Sequence, residues 1–593
     1  MNTGRIGRWS ITVLVLLVLL CLPSAVPNPL NNRNPLPEVD ATWVNRMLAR
    51  MSLDEKVGQM FMVGFQSNRW GTSTGFSAHA RELIRRHHVG GVILFSRNIQ
   101  NPRQVGELTN QLQQLAVASE PHVPLLIAVD QEGGDITRVD GATVFPSNMA
   151  QGATVDPDTA YTSAKTVGRE LRAMGINLNL APVLDVNNNP VNPVIGVRSF
   201  GENPRMVAAM GTSAIRGYHE GEVLTAVKHF PGHGDTHVDS HVGLPSVTHD
   251  RKRLDAVELV PFREAIRGGA DMIMTAHITF PAIDPAPGTP VTLSRRALTG
   301  LLREELGFQG VIITDDMEMG AIAKQFGTPQ AAVRAIQAGA DMVLVAHSLS
   351  AQRSAIAAVK QAVQSGKISK ERIDESVRRI LRLKAERLGK HAVAKQVYAY
   401  PDEAERMVGT PQAARQAEAV AARAVTLVQD PDRRLPLRPE WLPRVLVVSP
   451  EKPVALSRRL SDQGFRVETL GIDADPPVAE RQRAVEKARV ADAVIVGLTG
   501  AVLHPQQGAL VRQLEETGKP VVALGLNTPY DVAVLLRNTT YLALYGSNTV
   551  SLDAGVKALT GRIPLRGRLP VSIPGRYPVG AGIHIDRMAR PGR

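Results

Sequence analysis

Cysteine is all but missing from this chain: Cys21 is the only one in 593 residues. An internal disulfide is therefore excluded, and the fold must rest on its apolar core. Aromatic residues are also few, at 4%, so stacking platforms for carbohydrate or single-stranded nucleic acid are not abundant. No HExxH zinc motif occurs anywhere, and the C-terminal part has no GxGxxG phosphate loop. No apolar run reaches the roughly 20 residues that a membrane span prefers. No tandem repeat stands out. What remains is an ordinary globular composition, 44% hydrophobic and 21% charged. The formal charge is +12, which suits an anionic cell wall or membrane surface. The basic residues are scattered and lack interleaved aromatics, so no nucleic-acid partner is expected.

The beginning of the chain suggests a compartment. Arg5 and Arg8 precede an apolar run from Ile11 to Leu22, followed by Pro23, Ser24 and Ala25, the layout of an export signal. Pro23 is a poor third residue before a cut after Ala25, so membrane anchoring by an uncleaved N-terminus is the alternative. Leu20 stands where a small residue would precede a lipidated cysteine, which argues against Cys21 as a lipid site. Pro27 to Pro37 is rich in Pro and Asn and reads as a tether. The expected location is outside the cytoplasm: extracellular, periplasmic or attached to the envelope.

The length calls for more than one domain. Eight short apolar runs end near Gly64, Phe95, Asp130, Val183, Lys228, Thr275, Asp315 and Ala346. Helix-length segments separate them, which predicts an α/β fold of eight βαβ units closed into a (β/α)8 TIM barrel over residues 40–390. After a break at 391–420, expected to be a linker, five more runs within 421–593 predict an open, doubly wound α/β (αβα) sandwich. Residues 1–39 are the signal and tether. In such a barrel the active site lies at the carboxyl ends of the strands. Asp130, Lys228, His229, His277 and Asp315 all fall there.

The densest chemistry is Lys228 to His241, KHFPGHGDTHVDSH. His229, His233, His237 and His241 recur every four residues, a spacing that on a helix would line one face and invite zinc. Pro231, Gly232 and Gly234 argue for a loop instead, since an interior proline costs a helix about 3 kcal/mol. No metal and no cofactor is expected. Asp239 and His241, two apart, can pair in a turn so that the carboxylate fixes the imidazole's tautomer, and a histidine suits proton transfer near neutrality. The partner is sought in GVIITDDMEMG, where an apolar strand delivers Asp315 and Asp316 at its exit. Asp315 should face the barrel mouth, with Asp316 as a turn residue or N-cap.

Taken together, these segments resemble the family 3 glycoside hydrolases, and within them the two-domain bacterial β-N-acetylglucosaminidases. KHFPGHGDTHVDSHVGLP is similar to the family's acid/base loop, and LLREELGFQGVIITDDM to its nucleophile segment. AVDQEGGDITRV and NPVIGVRSFG match its sugar-gripping segments, and GRLPVSIP from Gly567 is similar to the closing strand of its second domain. The resemblance implies Asp315 as nucleophile, His241 held by Asp239 as acid/base, and Asp130, Arg138, Arg198, Lys228 and His229 as sugar ligands. Each has a plain structural alternative. Arg138 and Arg198 could be rim salt-bridge residues, Glu132 could brace its loop, and Asp185 and His277 have only position in their favour. His233 and His237 are left as supports.

The implied function is exo-acting, retaining removal of terminal β-N-acetylglucosamine through a covalent glycosyl-aspartate, with peptidoglycan fragments as the expected source. The alternatives are a β-glucosidase or glycoside phosphorylase of the same family, or a wall-binding protein without catalysis. Oligomeric state is not legible.

Overall fold

The computed structural model describes residues 41–66, 74–388 and 397–586. The expected export signal and tether, Cys21 and His391 lie outside the described residues. The described residues make one compact unit that contains two main sheets.

The first sheet consists of eight parallel strands: β1 (Phe61–Val63), β2 (Gly91–Leu94), β3 (Leu126–Val129), β4 (Leu178–Asn179), β5 (Leu224–Phe230), β6 (Met272–Thr275), β7 (Val311–Thr314) and β8 (Val343–Val345). Their order is β8-β1-β2-β3-β4-β5-β6-β7. Between β7 and β8 the ring is closed by Thr314 N donating to Met342 O at 3.1 Å and Asp341 N to Ile312 O at 2.8 Å. LIAV in β3 and VIIT in β7 are buried at every position, as parallel strands covered on both faces require. The expected barrel is therefore present.

One strand is shorter than expected. The run to Val183 pairs as a regular strand only over Leu178–Asn179, flanked by single bonds such as Asn177 N to Ile127 O and Leu180 N to Val129 O and by an isolated bridge between Val183 and Lys228. Pro182 lacks the N–H that would continue the ladder.

The second sheet has six strands: β9 (Thr426–Gln429), β10 (Arg444–Ser449), β11 (Arg466–Gly471), β12 (Ala493–Leu498), β13 (Val521–Gly525) and β14 (Thr540–Ala543), in the order β9-β14-β13-β12-β10-β11. The five parallel strands alone run 2-1-3-4-5, one of the two common doubly wound orders. Strand β9, antiparallel at the edge, was not expected from the sequence, because a four-residue run directly after a helix carries no turn signal. The described part of 391–420, expected to link the domains, is largely helical: helix Pro401–Met407 packs on helix Pro102–Ala118, and helix Pro411–Ala424 on helix Thr549–Leu559. One expectation needs correction. The segment from Gly567 does not close the sheet. Leu569, Val571 and Ile573 are buried there, but the chain runs irregularly and pairs only through bridges such as Ile573 with Tyr577.

The sandwich sits over the barrel's loops. Met149, Ala150, Ala153 and Val197 of the barrel share one apolar cluster with Leu446, Val496 and Tyr541 of the sandwich. Polar bonds reinforce this contact. Ser147 Oγ donates to Tyr545 O at 2.6 Å, Asn187 Nδ2 to Tyr530 Oη at 3.1 Å, and Ser572 N and Oγ donate to Glu202 Oε2 at 2.8 and 2.9 Å.

Candidate active site

Three strands deliver charge to one end of the barrel. Asp130 follows β3, Lys228 and His229 lie within the last turns of β5, and Asp315 follows β7. Between them opens a cavity of about 370 Å³ whose wall includes Asp130, Glu132, Arg138, Arg198, Lys228, His229, His233, His241, Asp315 and Asp316. Of the expected catalytic and sugar-binding residues, all but Asp239 line it; Asp185, His237 and His277 lie outside the wall. Asp239 stands behind His241.

A chain of ion pairs forms the floor. Lys228 Nζ bonds Asp130 Oδ1 at 2.6 Å and Glu132 Oε1 at 2.7 Å. Arg198 takes the same Glu132 in a two-pronged grip, Nε to Oε2 at 2.9 Å and Nη2 to Oε1 at 2.8 Å. Arg198 Nη2 also lies 3.5 Å from His229 Nε2, and His229 Nδ1 is 2.7 Å from Asp185 Oδ2. Each of these ions would be costly to bury alone, by several kcal/mol, so the pairing is what permits the burial. Burial by itself would raise the Glu132 carboxyl, but the charges of Arg198 and Lys228 outweigh it and hold Glu132 far below the usual carboxylate range. Lys228 is held above its ordinary value, since Asp130 and Glu132 overcome its desolvation. Glu132 is thus the hub of the floor. The alternation of side chains places it on the same face as Asp130 two residues earlier, a signal the sequence did contain.

Asp315 is half-buried, and desolvation favours its neutral form, yet its interactions with His277 and His229, the Asp316 N–H and the Lys228 ammonium prevail and its carboxyl lies below the ordinary value. Its Oδ1 accepts the Asp316 N–H at 2.8 Å, leaving Oδ2 for a ligand. Asp316 is the turn residue. Its Oδ1 accepts from Glu318 N at 3.2 Å and Ala346 N at 3.0 Å. His277 supports this turn: its Nε2 lies 3.0 Å from Asp316 O, which can only accept, so Nε2 carries the hydrogen. Nδ1 then accepts from Thr292 Oγ1 at 2.8 Å. Burial lowers the His277 pKa, in keeping with a neutral ring.

The loop from Lys228 to His241 holds its histidines apart. His229 faces Asp185, His233 bonds Thr236 Oγ1 at 2.9 Å and Ser240 Oγ at 3.0 Å, and His237 Nδ1 is 3.2 Å from Asn189 Nδ2. His241 Nδ1 meets Asp239 Oδ1 at 2.7 Å, and the same oxygen accepts the His241 N–H at 2.8 Å. The four rings do not converge on a shared point. Burial pushes the His233 pKa down to about 4, so this ring is neutral and acts as a staple. Asp185 is a second support, since its Oδ1 accepts from His233 N at 2.7 Å. Position alone did not separate these roles in the sequence.

A pocket of this size, closed by paired ions and flanked by an ionised aspartate and a histidine–aspartate pair, suits glycoside chemistry. Residues 52–383 match the model of the glycosyl hydrolase family 3 N-terminal domain. The chain belongs to glycosyl hydrolase family 3. Across both domains this family 3 chain is similar to β-hexosaminidase A of Pseudoalteromonas piscicida, 35% identical over 549 residues, covering 83% of this chain and 90% of that one. It is also similar to the β-N-acetylglucosaminidase/β-glucosidase of Cellulomonas fimi, 32% identical over 559 residues, 89% of this chain and 95% of that one. Among solved structures, the family 3 β-N-acetylglucosaminidase of Paenibacillus sp. strain FPU-7 superposes with a TM-score of 0.81 at 41% identity, covering 88% of this chain and 99% of that one. The family 3 barrel here also brings Phe95, Glu318, Met319 and His347 to the rim of the pocket. None of these was expected as a site residue. His347 stacks near Phe95, ring centroids 5.2 Å apart, and its Nε2 is 3.3 Å from Asp316 Oδ2.

Proposed function

We propose that this glycosidase removes terminal β-N-acetylglucosamine from the non-reducing end of its substrate and retains configuration at the anomeric carbon. The observation that carries this reading is the pairing, across one pocket, of an Asp315 carboxylate held ionised with a His241 ring backed by Asp239. In the first step Asp315 Oδ2 bonds to the anomeric carbon while the glycosidic C–O bond breaks, and the leaving oxygen takes the proton from His241 Nε2. In the second, His241 takes a proton from water as that water displaces Asp315. Asp239 fixes the hydrogen on Nδ1, so that Nε2 exchanges the proton.

Asp130, Lys228, His229, Arg138 and Arg198 supply the sugar ligands. Arg138 supports this with a buried Nε that has no protein partner, and ionised groups make hydrogen bonds about twice as strong as neutral ones. The preference for the N-acetylated sugar is in line with the hexosaminidase relatives. Peptidoglycan fragments as the natural substrate, and export as the location, rest on the Arg5–Ala25 segment and the +12 charge.

The test is a comparison of 4-nitrophenyl N-acetyl-β-glucosaminide with the corresponding glucoside, followed by trapping with a 5-fluoro glycoside and peptide mapping. A preference for the glucoside, or a label on a peptide lacking Asp315, removes the proposal. Because a neutral histidine does not repel phosphate as a carboxylate would, phosphorolysis is the second reading. Sugar 1-phosphate formed on adding phosphate would identify it.

A further inference from the structure

The loop that carries Asp239 and His241 is fixed at its base and merely seated at its tip. At the base, His233 N bonds Asp185 Oδ1, Asn192 Nδ2 bonds His233 O at 2.9 Å, and Asn189 Nδ2 bonds Thr236 O at 2.9 Å. Ser240, bonded to the His233 ring, is the last buried residue before the tip. Beyond it Val242 is 65% exposed, and the His241 side chain is 60% exposed. Three bonds hold this exposed tip to the rest of the barrel. Gly320 N donates to His241 O at 3.0 Å, Ala321 N to Ser240 O at 3.2 Å, and Lys324 Nζ to Val242 O at 3.2 Å.

All three donors lie in or just after the short helix Gly320–Ala323, which follows the nucleophile's own turn. The seat is close. A Cβ placed on Gly320 would stand 2.6 Å from His241 O and 2.9 Å from Val242 O. Both are main-chain atoms, so no side-chain rotation relieves the contact, and the tip itself would have to lift. Alanine is the better helix former, so glycine here weakens its helix and admits the loop.

We propose that Gly320 is a positioning residue for the acid/base step. By letting the loop backbone rest on the turn after Asp315, it sets the reach of His241 to the leaving oxygen. This rests on His241 being the acid/base, and the experiment below separates the two claims.

The Gly320→Ala variant is compared with the parent and with His241→Ala on two substrates. The 2,4-dinitrophenyl glycoside has a leaving group that needs no proton, whereas N,N′-diacetylchitobiose needs one. For Gly320→Ala, kcat/KM on chitobiose is expected to fall ~10- to 100-fold, part of the 10²–10⁴ that a general acid provides. On the dinitrophenyl glycoside it should stay within about 3-fold, because that bond breaks without acid help. Equal losses on both substrates, or none on chitobiose, overturn the proposal if His241→Ala itself shows the substrate-dependent loss. If His241→Ala shows no such dependence, the acid/base reading falls, and this inference with it. Should Gly320→Ala not fold, Lys324→Met removes one seat bond from the partly exposed flank. A loss confined to chitobiose then supports the proposal, and equal or absent losses overturn it.

Discussion

The carboxylate of Asp185 grips His229 from two sides, Oδ2 lying 2.7 Å from the ring Nδ1 and Oδ1 3.2 Å from the main-chain N. A carboxylate on Nδ1 and the Arg198 guanidinium near Nε2 together call for the Nδ1–H tautomer. Nε2 is then an acceptor turned toward the pocket.

Asp185→Asn keeps the shape but turns one acceptor into a donor. A hydrogen bond to a charged group contributes about 1.5–3 kcal/mol, so kcat/KM on an aryl N-acetylglucosaminide should fall roughly 10- to 100-fold. Most of the loss should be in KM. Steady-state kinetics decide it, and an unchanged KM would speak against His229 as a sugar ligand.

Glu132→Gln removes the shared partner of Lys228 and Arg198 while conserving volume. Breaking a buried ion pair from one side costs about 3–5 kcal/mol. The urea midpoint should drop accordingly, with KM rising as the floor loosens. A variant as stable as the parent would mean that solvent reaches this network.

His233 predicts a pH effect on stability. Its folded value of about 4 lies below the ordinary 6.5, so between these values the unfolded chain holds a proton that the folded one lacks. Stability therefore falls as pH drops through that window, by about 3 kcal/mol in all from this ring. In His233→Gln the decline in unfolding free energy from pH 6.5 to 4 should be shallower than in the parent. Parallel slopes would refute the assignment.

Asp315→Asn should lower kcat by at least ~10³-fold, since the other carboxylates of the pocket are engaged elsewhere, Asp130 and Glu132 by Lys228, Asp316 by Ala346 N and Glu318 by the main-chain N–H groups of His347 and Ser348. Single-turnover assays and intact-mass analysis after fluoroglycoside treatment measure this. A variant that still acquires the sugar label would place the nucleophile elsewhere.

The barrel and the charged end of its pocket were legible because strand periodicity and charge placement coincide: LIAV runs into Asp130, and VIIT into Asp315. Pairings between distant segments were not. Glu132 looked like a loop brace because its partners, Arg198 and Lys228, are 66 and 96 positions away. His347 and Phe95 reach the rim from loops after different strands, and neither belongs to a local pattern. The histidine ladder at 229, 233, 237 and 241 was periodic but not helical, and each ring found a different partner once the loop folded. In the sandwich, β9 escaped notice because an antiparallel edge strand of four residues has too little sequence to announce itself.

The apolar cluster shared by Met149, Ala153 and Val197 with the sandwich has a consequence for synthesis. A ribosome adds about 5–20 residues per second, so after the barrel is complete roughly 10–40 s pass before the remaining strands emerge. A barrel that folds within that interval holds a bare apolar patch on its loops. A nascent chain halted there would be a target for chaperones rather than a smaller working enzyme.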